Sequence, residues 1–276
     1  MPEGPATARP LVSVVTVCFN SERHLAEAMG SVLAQSYPEI EYVVVDGGSS
    51  DGTVAIIRSF EDRFGGRLRW VSEPDEGIYD AMNKGIAMST GELVGLLNSD
   101  DTYLPGAIER VVEAYLADPG TGAVYGDAEV LDEGGSHPRV ERARALSAGE
   151  KRPDRMPMCH QSLFVARRTY DEIGTFDTAY RILADYEWIL RAIAAGVAMD
   201  HIAVPLARFR SGGACSVDMT RSNRERERIR VKYGANPVVE RLRRARHALN
   251  RMVYAAIRGG RPRRTRTGEP AGESDR

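Results

Sequence analysis

The 276-residue chain is 42% hydrophobic and 28% charged, ordinary for a soluble globular protein and long enough for one large core with an appendage. No apolar run is long enough to cross a bilayer and the N-terminus MPEGPATARP lacks a signal-peptide core, while Cys18, Cys159 and Cys215 are too scattered for a disulfide framework or a zinc site; a cytoplasmic protein is expected. The net charge of −2 conceals a split, because residues 221–276 hold 17 basic and 6 acidic side chains and the remaining residues hold 20 and 33.

After a flexible N-terminus (1–10), LVSVVTVCF (11–19) is a β-branched run suited to a strand buried on both faces. ERHLAEAMGSVLAQ follows with Leu25, Ala28, Met29, Val32 and Leu33 at helical spacing. EYVVVD (41–46), LRWVSEP (68–74) and ELVGLL (92–97) read as further strands, with helices over VAIIRSFEDRF and GIYDAMNKGIAMS between them. Four strand–helix alternations without a hairpin signal predict an α/β fold with a mostly parallel sheet flanked by helices. After residue 120, GAVYGDAEVL, HQSLFVAR and AMDHIAVPLARFR read as strands and LADYEWILRAIAAG as a helix. Residues 237–258 place Val238, Leu242, Ala245, Leu249, Met252 and Ala256 on one helical face among arginines, and 259–276 has a disordered, basic composition.

Ligands of an open parallel sheet collect at the carboxyl ends of its strands. Here those ends carry Asn20, Asp46, Glu73 with Asp75, and the run Asn98-Ser99-Asp100-Asp101. Asp46 can accept hydrogen bonds from a ribose or base, or simply start a turn. Asp100 and Asp101 repel each other unless a cation lies between them; oxygen donors at such an edge suit Mg²⁺ or Mn²⁺, and the alternative makes Asp101 a helix cap before TYLPGAIERVV. Asn98 leaves the cluster one charge short of a three-acid set. Asp185 opens an amphipathic helix, where the dipole keeps a carboxylate ionised, as a cap or as a general base. His160 and Gln161 precede an apolar strand, and SGGACS (211–216) is a loop or linker.

The blocks SVVTVCFNSERHLAEAMGSVLAQSY, EYVVVDGGSSDGT, DEGIYDAMNKGIAMSTGELVGLLNSDD, CHQSLFVARR and FDTAYRILADYEWILR, in this order, resemble glycosyltransferase family 2 over residues 11–216. The form DEGIYDAMNKGI with NSDD and HQS is most similar to exopolysaccharide (colanic-acid type) and glycolipid transferases. The resemblance implies a GT-A fold and a nucleotide-diphosphate sugar as donor. It assigns Thr16, Phe19, Asn20 and Asp46 to the base and ribose, and Asp75, Tyr79, Asn83, Lys84, Asn98, Ser99 and Asp100 to the nucleotide sugar. Asp100 and Asp101 match the family's metal motif, with Asn98 standing where many members have Asp. Asp185 matches the catalytic base, with Ala184 where many members have an acid, and His160 and Gln161 fall on the acceptor side. One base without an enzyme nucleophile implies inversion, and the lack of a QxxRW motif implies single-sugar addition to a glycan or to a polyprenyl- or other lipid-linked acceptor.

The basic segment 217–258 is expected to be a helical extension whose part 237–258 either docks on the body or lies on an anionic membrane surface, giving a peripheral protein of the inner membrane face. Nucleic acid is not an expected partner, since the basic tail has few aromatic residues and no recognisable reading module. Two rivals remain at this stage. A sugar-phosphate nucleotidylyltransferase should carry a Gly- and Arg-rich loop where this chain has CFNSERH. A non-catalytic carbohydrate-binding protein would not bring Asp100, Asp101 and Asp185 together.

Overall fold

Val12, Val14 and Cys18 of the first strand point to one side of the sheet and Val15 and Val17 to the other, and all five are buried. That two-sided burial is why the run is β-branched rather than alternating. The computed structural model describes residues 9–131, 138–146, 156–210, 218–243 and 245–246. Strands β1 (Val12–Cys18), β2 (Ile40–Asp46), β3 (Leu68–Ser72) and β4 (Leu93–Asn98) are parallel, in the spatial order β3-β2-β1-β4. Beyond β4 the sheet becomes mixed. β8 (Leu163–Ala166) runs antiparallel to β4 and to β6 (Ala123–Leu131), and β6 pairs in parallel with β9 (Met199–Arg210). The short β5 (Thr102–Tyr103) lines β9 at the far edge, and β7 (Arg139–Glu141) adds to β6.

Helices α1 (Leu25–Leu33), α2 (Thr53–Phe60) and α4 (Ala107–Ala117) cover the face carrying Val12 and Val14. Helices α3 (Ile78–Met88), α5 (Arg167–Ile173) and α6 (Ala184–Ala194) cover the other, where the C-terminal helix α7 (Met219–Lys232) adds Ile229. α3 lies hard against β1: a Cβ on Gly85 would come within 2.2 Å of Val15 Cγ1. This contact fixes the height of the helix bearing Tyr79 over the sheet.

The helix-flanked α/β sheet agrees with the expectation; the mostly parallel pairing expected holds for β1–β4 and gives way to mixed pairing beyond β4, and the elements between β4 and α4 differ locally. Asp101 caps no helix: β5 intervenes and α4 starts at Ala107, after Gly106 in the left-handed region. The loop 211–216 with Cys215, and residues 259–276, lie outside the described residues, as does most of 1–10.

Candidate active site

The carboxyl ends of β1, β2 and β4 meet the N-terminal ends of α3 and α6. At the end of β4, Asp101 is buried and hydrogen-bonded on both oxygens. One oxygen accepts from the backbone N–H of Arg210 (3.0 Å), the other from Asn98 Nδ2 (3.1 Å) and Gln161 Nε2 (2.5 Å). Burial, and after it the charge of Asp100, push Asp101 up to about 6. Its neighbour differs: Asp100 is half-buried and has no hydrogen-bond partner among the described residues. Asn98 turns its amide nitrogen to Asp101, which leaves its Oδ1 a buried acceptor without a partner. Ser99 Oγ meets Ser21 Oγ at 2.9 Å and so ties this turn to the end of β1.

Asp185 sits in the first turn of α6 and accepts from the N–H of Tyr186 (2.7 Å). Tyr79, one residue into α3, directs its hydroxyl to Asp185 Oδ1 (3.0 Å) and to the carbonyl of Ile182 (2.8 Å). His160 Nδ1 lies 3.4 Å from Asp185 Oδ2, and its Nε2 is buried without a partner. The adjacent residue Gln161 holds Asp101, and the Cys159 thiol donates to Gln161 Oε1, which turns the Gln161 amide nitrogen toward that carboxylate. Two consecutive side chains therefore bridge the base candidate and the β4 acids. Through these neighbours Asp101 and Asp185 are linked by adjacent residues of one segment.

On the other flank, the Phe19 ring is 62% exposed at the end of β1. Gly47 is wedged beside it: a Cβ there would lie 3.4 Å from the Phe19 ring and 2.5 Å from Asp75 Oδ2. Asp75 Oδ1 accepts from the N–H of Gly77. Asn20, with φ 49°, receives the Ser50 N–H on its Oδ1 and donates its own N–H to Ser49, so it shapes the loop after β2. The Arg181 guanidinium lies against Gly77, 3.2 Å from where a Cβ would stand, with no carboxylate partner among the described residues.

Five of the expected ligand-contact side chains are bonded within the protein in this structure. Thr16 is buried on Tyr42 Oη (2.9 Å). Asp46 is fully buried, accepting from Ser49 and from Ser72 Oγ (2.6 Å), so it holds the turn and presents nothing outward. Both ends of the Asn83 amide pin the backbone of Phe176. Lys84 is paired with Glu73 (3.0 Å) and Asp80 (3.5 Å). Asp101 accepts three hydrogen bonds, one on Oδ1 and two on Oδ2. Phe19, Asp75, Tyr79, Asp100, His160 and Asp185 remain at the surface of the site or linked to it. Sequence reasoning missed Arg181, Arg210 and Glu225, whose local surroundings carry no sign of their partners.

Divalent-cation binding can be tested against these residues. The chain offers the free Asp100 carboxylate and the open Asn98 Oδ1, and among the described residues no cluster of three or more His, Cys, Asp or Glu could hold a metal. That is a fit for a hard cation that takes one or two protein oxygens and completes its shell with substrate phosphates and water.

A family model described as Glycosyl transferase family 2 matches residues 13–174. An uncharacterized glycosyltransferase of Mycobacterium tuberculosis (strain H37Rv) is 36% identical over 188 residues, covering 67% of this chain and 70% of the relative. A PGL/p-HBAD biosynthesis glycosyltransferase of Mycobacterium bovis (strain BCG) is 31% identical over 189 residues, with the same coverage of 67% and 70%. Among solved structures, the mannosyltransferase PcManGT of Pyrobaculum calidifontis with GDP-Man and Mn²⁺ superposes with a TM-score of 0.62 at 21% identity, over 84% of this chain and 67% of that one. S. aureus TarS 1-349 with UDP-GlcNAc gives 0.60 at 16% identity, over 83% and 69%, while the match spans 41% of the longer TarS chain. At these identities the two structures establish a shared fold, that of the GT-A glycosyltransferases.

Proposed function

Because the chain belongs to glycosyl transferase family 2, we propose that it moves one sugar from a nucleotide-diphosphate sugar to a hydroxyl of a glycan or lipid-linked acceptor, with inversion and without processivity. The observation that carries this reading is the Asp185 carboxylate, oriented by Tyr79 and His160 and linked through His160 and its neighbour Gln161 to Asp101. A general base must lie within hydrogen-bond reach of the proton it takes and be held in one orientation. Asp185 meets the second condition, and in the proposed reaction takes the acceptor proton as that oxygen attacks the anomeric carbon. The bond to the diphosphate breaks in the same step, with no enzyme nucleophile, so configuration inverts.

Phe19 is proposed to stack on the nucleotide base, with Gly47 and the Asn20–Ser50 loop shaping the pocket floor. Asp75 accepts from the sugar or ribose, and Arg181 faces the diphosphate in place of Lys84. Asp100 and Asn98 Oδ1 would hold a divalent cation, which supplies charge neutralisation for the departing nucleoside diphosphate. The solved neighbours, titled as complexes with UDP-GlcNAc and with GDP-Man and Mn²⁺, support a nucleotide-sugar donor and a metal. The decisive variant is Asp185→Asn: transfer should be lost while UDP or GDP still raises Tm, and near-normal turnover would remove Asp185 as base. The unpartnered His160 Nε2 favours a second reading, in which His160 takes the proton and Asp185 fixes its tautomer. His160→Ala then matches Asp185→Asn in its loss of turnover, whereas a modest loss leaves Asp185 as the base.

The C-terminal segment carries an exposed apolar surface of the kind a membrane would take. In the helical stretch 237–243, Val238 and Leu242 are 61% and 65% exposed, while Glu240 on the opposite face is buried against Arg230 (3.4 Å) and Arg243 (3.0 Å). The polar face docks and the apolar face, with Arg241 beside it, looks outward. This supports an anionic membrane surface as the partner, and no helix among the described residues is long and apolar enough to span a bilayer. Val238→Glu/Leu242→Glu should abolish co-sedimentation with phosphatidylglycerol vesicles; unchanged binding would exclude this face.

A further inference from the structure

The family model ends at Thr175's predecessor, residue 174, yet the segment carrying Asp185 is held from much further along the chain. Glu225 of α7 is buried, and its carboxylate accepts three consecutive backbone N–H groups: Arg181 (2.9 Å) on one oxygen, Ile182 (2.9 Å) and Leu183 (3.0 Å) on the other. These are the residues leading into α6, whose N-cap residue, Leu183, has no side-chain cap of its own. The Ile182 peptide is gripped from both sides, since its carbonyl accepts from Tyr79 Oη, the same hydroxyl that lies 3.0 Å from Asp185. A second clamp sits one turn on. Glu187 of α6, fully buried, accepts from Lys232 (2.9 Å) at the end of α7 and from Tyr233 Oη (2.6 Å), and from Arg191 (2.8 Å) within α6.

We propose that α7 is part of the catalytic unit and that Glu225 is a positioning residue for Asp185, acting through the 181–183 backbone and Tyr79. This rests on Asp185 being the base and adds the device that aims it. A carboxylate bonded to three N–H groups is a rigid anchor, and a shift of about 1 Å in a reacting group is enough to cost up to about 100-fold in rate. The chain is therefore one functional unit through Lys232, rather than a transferase domain ending near residue 216 with a detachable extension. α7 also carries Arg230, the partner of Glu240, so it is the strut between the exposed apolar face at 238–242 and the base.

The test uses the full chain and its turnover of UDP-GlcNAc and GDP-Man, whichever it hydrolyses. Glu225→Gln keeps the shape but sets an amide NH₂ against the N–H donors. It is expected to lower kcat about 10- to 100-fold, with KM for the nucleotide sugar and the Tm gain from UDP or GDP within about twofold of wild type. A purely structural role would lower Tm while leaving kcat per nucleotide-binding site unchanged, and that result overturns the proposal. If Glu225→Gln melts before assay, Glu225→Asp, which keeps the charge and withdraws it by one methylene, reads the same quantity. Combined with Tyr79→Phe, the loss in kcat should be less than the product of the single losses, because both act on the Ile182 peptide; multiplicative losses count against the clamp. An inactive Asp185→Asn beside a fully active Glu225→Gln refutes the clamp and leaves the base intact. An active Asp185→Asn refutes both.

Discussion

Replacing Gly85 by Ala tests the packing that sets the site's height. Two effects oppose each other. In the interior of a helix, Gly→Ala is worth about 1 kcal/mol of added stability through backbone entropy. Against it, the new methyl would stand 2.2 Å from Val15 Cγ1, where apolar carbons rest at about 3.5–4.0 Å. Val15 is buried and β-branched, so it has little freedom to rotate, and Val45 Cγ2 at 3.4 Å blocks a sideways shift. α3 must lift by roughly 1 Å, an overpacking that costs about 1–3 kcal/mol. The close approach puts Gly85→Ala at the upper end, and the clash wins by about 1–2 kcal/mol, or roughly 2–8 °C in Tm for a domain of this size. Because Tyr79 rides on the same helix, kcat should fall as well. Thermal melts and donor turnover on purified Gly85→Ala read both quantities, and Val15→Ala in the same chain should restore part of each. A variant that melts at or above the wild-type temperature would show that α3 does not lie this close to β1.

Phe19→Ala should raise KM for the nucleotide sugar several-fold and shrink the Tm gain from UDP or GDP, with kcat little changed; a kcat effect alone would contradict base stacking. Asp100→Asn should raise the Mn²⁺ or Mg²⁺ concentration needed for half-maximal turnover, and EDTA should stop the wild type; full activity in chelator removes the metal. Arg181→Ala should weaken donor binding more than Lys84→Ala, since Lys84 is already neutralised by Glu73 and Asp80. For Glu187, burial alone would raise the carboxyl, but hydrogen bonds from Tyr233, Lys232 and Arg191 outweigh it and hold it below its ordinary value of 4.5. A lowered folded value stabilises the protein above pH 4.5 and loses that contribution as pH falls through the folded pKa. Glu187→Gln should therefore melt lower than wild type at pH 7, with the gap closing below about pH 4.5; a gap independent of pH would show that the charge is not what holds α6 to α7.

The parallel half of the sheet was legible in the sequence because β1, β2 and β4 are apolar runs buried on both faces, and four strand runs separated by amphipathic stretches admit few arrangements. The mixed half was less so. β5 and β7 are too short to leave a period, and the direction of β8 depends on which strand it meets. Asp185 and the Asn98–Asp101 turn were legible as chemistry, because acids at a strand end and at a helix start need a reason to be there.

The sequence by itself determined the order of elements, the two-faced burial of β1, β2 and β4, and which polar residues stand at their carboxyl ends. Only the tertiary structure decided which of those polar groups face outward. Asp46 read as a possible nucleotide contact, Asn83 and Lys84 came from the family resemblance and Asp101 from its metal motif; the fold brings Ser72, Phe176, Glu73 and Gln161 against them, partners that no local pattern announces. The same holds in reverse for Glu225. In RERER it looks like one charge of a solvated helix, until packing buries it on three N–H groups ahead of α6. Local pattern reports a side chain's chemistry, and its partner is a long-range contact with no local signature.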